Sequence, residues 1–156
     1  MTSYGDFADE RPGMAARLHQ LNQDIPIFYI ATVRRDGAPR VHPFCPIFGG
    51  RGLYIAVSHT SPKRWDLARD GRYAMHNSNP PPRGDRGDDE WYAMGRARRI
   101  VDPAEFQLVV ESANHTVHPT DWVFELSFDY VMTAWWEKFG QPDTYAVREE
   151  WRSPVE

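Results

Sequence analysis

Lysine is almost missing from this chain. Of its 18 basic residues two are lysines, Lys63 and Lys138, and the rest are arginines. A genomic bias toward arginine codons is a sufficient explanation, and its consequence is that any lysine inside a motif stands out. Cysteine is scarcer still. Cys45 is the single thiol, which excludes an intrachain disulfide framework and fits a reducing compartment. Long apolar runs are absent: nothing approaches the roughly 18–20 residues needed to span a bilayer, and Met1 to Asp9 lacks the basic start and apolar run of a signal peptide. These absences read as a cytoplasmic protein with no membrane role. An excess of positive charge is missing too. The net charge is -4 at pH 7, which gives no pull toward nucleic acid. There is no phosphate-binding loop of the Walker type and no nucleophile elbow.

What is present is an ordinary globular composition, 41% hydrophobic and 26% charged, with 6 Trp in a 13% aromatic share. A chain of 156 residues is one domain at roughly 100–200 residues each, large enough to build a core without disulfides or metal. The organisation expected is an N-terminal arm over 1–11, a barrel domain over 12–136 and a C-terminal tail over 137–156.

Pro12 suits a first helical turn, and Met14, Leu18 and Leu21 repeat at helical spacing, so a helix is expected over about 12–23. The run from Ile27 to Arg35 is β-like, and Asp36-Gly37 is a hairpin signal. A second strand runs to Phe48, interrupted by Pro43 and Pro46, which marks an edge strand or a bulge. Leu53, Ile55 and Val57 give a third. Ser61 is a natural N-cap and Pro62 a natural first residue for a short helix, which Gly71 ends. Strands follow over 72–77 and 90–101. Asp102 to Glu105 reads as a capping box before a helix packing on Phe106, Val109 and Val110. The last strand, 122–134, alternates cleanly, with Phe124, Leu126, Phe128, Tyr130 and Met132 on one face. The fold expected is mainly β: a six-stranded antiparallel split β-barrel of Greek-key type with a few short flanking helices.

The segment from Ser58 to Arg72 resembles a signature of the FMN-binding split-barrel family related to pyridoxamine 5'-phosphate oxidase. Its pattern, K-x-x-N/D-L-x-x-D/N-x-R, reads here as Lys63, Asp66, Leu67, Asp70 and Arg72. Ala31 to Val41 looks like the family's first hairpin, and Met94-Gly95-Arg96-Ala97 with Val101-Asp102 like its fifth strand. The likeness covers roughly residues 12–134. It implies a homodimer with two cofactor sites at the subunit interface, the flavin phosphate beside the lysine segment and the ring along strands two and three. The cofactor implied is FMN; some relatives carry a deazaflavin cofactor and a few bind haem. The function implied is hydride or electron transfer to or from a small molecule. The alternatives are a deazaflavin-dependent reductase and a non-catalytic flavin- or haem-binding module.

The residues themselves support the phosphate half of this reading. A helix N-terminus favours anions, Ser61 adds a hydroxyl, and Lys63 and Arg64 add positive charge that is mildly unfavourable there without an anion. A capped surface helix with incidental basic residues gives the same pattern. Many relatives have a basic residue where this chain has Ser61, and Arg64 is expected to compensate. Ring contacts are expected from His42, Pro43, Phe44 and Cys45 and from Val57 and Ser58. Cys45 is also what an inert small core residue looks like. Trp135 and Trp136 either cover the partner's cofactor or cap the barrel. No catalytic acid or base stands out. His115 and His118 have the spacing of two metal ligands without a third, and no metal is assigned. The tail lacks the arginine-rich segment that the true oxidases use on their substrate's phosphate, so a different substrate is expected.

Overall fold

The computed structural model describes residues 1–154; the last two residues of the expected tail, 155–156, lie outside that range. Four helices and eight strands follow in the order α1 (Tyr4–Glu10), α2 (Pro12–Asp24), β1 (Phe28–Val33), β2 (Pro39–Phe44), β3 (Ile47–Gly49), β4 (Gly52–Val57), α3 (Lys63–Arg69), β5 (Arg72–Asn77), β6 (Gly87–Arg99), α4 (Pro103–Ser112), β7 (Trp122–Glu137) and β8 (Tyr145–Arg152). All strand pairings are antiparallel, and the sheet runs β2-β1-β5-β6-β7-β4-β3, with β8 also on β7.

The strand count is therefore eight, not six. The expected second strand breaks at Cys45-Pro46 into β2 and β3, because Pro46 supplies no N–H to a ladder. Its first half lies at the edge of the sheet, as its prolines foretell. The eighth strand comes from the expected tail. The expected N-terminal arm is also ordered. Ser3 caps α1 by accepting from the Asp6 N–H at 3.2 Å, and Tyr4 and Phe7 enter the core.

Two other details differ. Helix α3 starts at Lys63, with Pro62 at the cap position and no side-chain cap. Ser61 contributes its carbonyl to the Arg64 N–H instead, at 3.3 Å. In β7 the alternation holds through Phe128, then shifts phase. The pairing with β6 slips between Met94 and Gly95, Asp129 is left exposed, and Val131 and Thr133 point inward in place of Tyr130 and Met132. A Cβ at Gly95 would lie 1.8 Å from the Ser127 carbonyl oxygen, so glycine is required where the strands close up.

The main core gathers Phe7, Leu18, Phe28, Ile30, Trp91 and Phe128 between the sheet and the first two helices. A smaller cluster of Ile47, Tyr54, Val109 and Val123 lies under α4. Asp102 caps α4 through the Glu105 N–H at 2.9 Å, while the Glu105 carboxylate turns to Arg98, so only half of the capping box forms. Among the described residues no helix is long and apolar enough to cross a membrane.

Candidate functional site

The end of β2 and the start of α3 converge on Lys63. Its side chain is 8% exposed, and Nζ donates to the Pro43 carbonyl oxygen at 3.0 Å. That carbonyl is free for a side chain because β2 is an edge strand. An ammonium carries three donors, and this is the one hydrogen bond it makes; no described carboxylate pairs with it. Burial holds the Lys63 pKa below its ordinary value, and the nearby Cys45 thiol opposes that. His42 is half-buried beside it. Burial, then the charges of Lys63 and Arg40, push the imidazole pKa down, against the pull of Asp66.

The neighbouring charges are settled. Asp66, buried on α3, accepts from Arg40 Nε at 2.8 Å, Thr32 Oγ1 at 3.2 Å and Arg69 Nη2 at 3.4 Å. Arg69 also donates to the Val33 carbonyl. Asp66 thus clamps α3 to β1 and β2 and leaves Lys63 as the uncompensated cation. Burying an ammonium without a counter-charge costs several kcal/mol, so the position suits an anionic or strongly accepting ligand. Thr32, Arg40 and Arg69 were not singled out from sequence; the motif pattern carried Asp66 but gave no sign of its partners.

The structure brings Lys63, His42, Pro43 and Cys45 together. Ser61 is half-buried just before α3, and Ser58 is exposed at the end of β4, its hydroxyl 3.1 Å from that of Thr60. The side chains of Val57 and Phe44 belong to the core, so these two residues can line a ligand only with their backbones. Arg64 points elsewhere, over the rings of Trp65 and Trp122 at 4.8 and 5.1 Å. Trp135 and Trp136 lie at the opposite end of β7 from the Val57 pairing, and within one chain they do not join the Lys63 group. Trp135 is held between the guanidinium groups of Arg17 and Arg86, at 5.1 and 4.3 Å.

No family model and no curated protein matches this sequence. Solved structures do match in fold. A NimC/NimA family protein from Clostridium acetobutylicum is 16% identical, with a TM-score of 0.58 over 88% of this chain and 93% of that one. A pyridoxamine 5'-phosphate oxidase-related, FMN-binding protein from Nostoc punctiforme is 12% identical, with a TM-score of 0.57 over 89% and 95%. The fold is that of pyridoxamine 5'-phosphate oxidase-like proteins. A heme-binding protein from Mycobacterium smegmatis shares it at 17% identity and a TM-score of 0.60, over 88% of this chain and 58% of that one.

Proposed function

We propose that this chain is an FMN-binding oxidoreductase that works on a small molecule as a homodimer. The observation that carries the reading is the buried Lys63 ammonium with donors to spare and no carboxylate partner. Lys63 would hold the flavin's phosphate or another of its acceptor groups. Ser61 would add its hydroxyl. The backbone of 42–45, with Val57 and Ser58, would run beside the ring. Bound there, the flavin supplies hydride or electron transfer, so no side-chain acid or base is needed for that step. The residues of the chain bind and orient: Asp66 fixes α3 against Arg40 and Thr32, and that keeps the Lys63 ammonium aimed at the β2 edge.

The partner copy is proposed to cover the outer face of β2, β1, β5 and β6. Val41, Ala31, Ala74 and Met94 form one row across these strands, with Val41 63% and Met94 39% exposed. A second reading, a haem-binding module on the same fold, draws support from the Mycobacterium smegmatis neighbour named for heme. A deazaflavin cofactor is the other variant. The absorption spectrum of the purified protein and an FMN titration followed by flavin fluorescence test all three. The expected result is FMN binding that Lys63→Ala weakens roughly tenfold or more. No binding at micromolar FMN by the unmodified chain overturns the FMN assignment, and a Soret band replaces it with haem.

A further inference from the structure

A cleft of about 570 Å³ lies between α3, the end of β6 and the segment leading into β7, lined by Arg64 and Arg99 and not by Lys63. We propose that it binds a small phosphate ester through the ester's phosphate group. Two arginines from distant parts of the chain meet there on one indole. The Arg99 guanidinium lies 3.6 Å from the Trp122 ring centroid and that of Arg64 5.1 Å from it. Trp65 packs edge-on against Trp122 at 4.7 Å, and its ring lies 4.8 Å from the Arg64 guanidinium. Neither guanidinium makes an ion pair or hydrogen bond with any described residue. The contrast with the next residue along is sharp: Arg98 pairs with both Glu105 and Glu125.

Stacking on an indole fixes a guanidinium's plane and leaves its N–H edges free. Both forks line one cleft without a counter-ion of their own, and a dianionic phosphate accepts from guanidiniums through paired charge-assisted bonds. Arg64 Nε and Asp121 Oδ1 are themselves sealed from solvent, and Asp121 Oδ2 accepts from the His118 N–H at 2.9 Å, so the outer N–H groups of the two guanidiniums are what the cleft offers a ligand. Phe106 supplies an apolar wall and His59 a polar rim. The volume is in the range of small-molecule sites, roughly 300–1,000 Å³.

The inference does not rest on the cofactor reading. Side chains carry it, and Arg64 and Lys63 leave α3 toward different neighbours. Isothermal titration with AMP, adenosine and inorganic phosphate tests it. AMP is expected to bind, inorganic phosphate more weakly, and adenosine not at all. Arg99→Gln, at an exposed position with no bond to lose, should weaken AMP roughly tenfold or more, and Arg64→Gln likewise. Lys63→Ala should leave AMP unchanged even if it abolishes FMN binding. The proposal is overturned if AMP gives no heat at millimolar concentration, if folded Arg99→Gln binds it as the unmodified chain does, or if Lys63→Ala removes it, since the anion would then sit at the β2 edge.

Discussion

At the scale of single residues the molecule spends stability at Lys63. Its ammonium is out of water with one carbonyl for company, an arrangement that a plain structural role does not call for. Lys63→Met, close in length and apolar, is expected to stabilise the ligand-free protein by about 1–2 kcal/mol while removing FMN binding; urea melts with and without FMN check both halves. The pH dependence has a definite sign. Burial lowers the folded-state pKa below the ordinary 10.5. Between those two values the unfolded chain holds a proton that the folded chain has released, so stability rises with pH across that window. The advantage of Lys63→Met should accordingly shrink as pH rises toward 10.5. Asp66 is the opposite case, a buried carboxylate with three donors. Asp66→Ala strands Arg40 and should cost about 3 kcal/mol, measured in the same melts. Lys63 was legible in the sequence because lysine is so rare here. The Asp66–Arg40 pair was not, because its members are far apart in sequence and nothing local in either segment points to the other.

At the scale of elements, the strands with strong alternation and the helices with apolar repeats were readable, and two elements were not. Helix α1 hides behind Asp6, Asp9 and Glu10; Tyr4 and Phe7 are its large inward side chains, with Gly5 and Ala8 beside them, too few for a periodic signal. Strand β8 alternates charge with charge, and Trp151 is its one buried residue. Both matter to the core regardless. Phe7 has no exposed surface and packs edge-on against Phe128 at 5.2 Å and Trp151 at 5.0 Å. Phe7→Ala is therefore expected to cost about 3–5 kcal/mol, where a loose arm would cost nothing; thermal unfolding decides. Tyr4 adds a second tie, its hydroxyl 2.6 Å from His19 Nε2, and burial pushes its pKa up to about 12. The phase shift in β7 escaped a sequence reading because a bulge is set by the partner strand. Gly95 lies on β6, and the extra residue it demands, Asp129, lies on β7.

At the scale of the whole molecule, the sheet has one face in the core and another that is apolar yet open. The row Val41, Ala31, Ala74, Met94 runs in register across β2, β1, β5 and β6, and Tyr29, 47% exposed, stands in the next row between Pro43 and His76. Single exposed apolar residues are ordinary; a contiguous set in register across four strands marks an interface. A stable one covers roughly 800 Å² per partner. The same β2 strand presents Val41 outward and the Pro43 carbonyl toward Lys63, so a second copy seated on this face would sit next to the proposed cofactor site. Val41→Asp then separates the two effects. Position 41 is exposed in one chain and tolerates a carboxylate, but in a symmetric pair it forces that charge into an apolar contact. Light scattering should report about twice 18.1 kDa for the unmodified protein and 18.1 kDa for the variant. FMN affinity should fall in the variant although residue 41 lies outside the Lys63 group. A monomeric unmodified protein, or a dimer indifferent to Val41→Asp, would take this face out of the assembly.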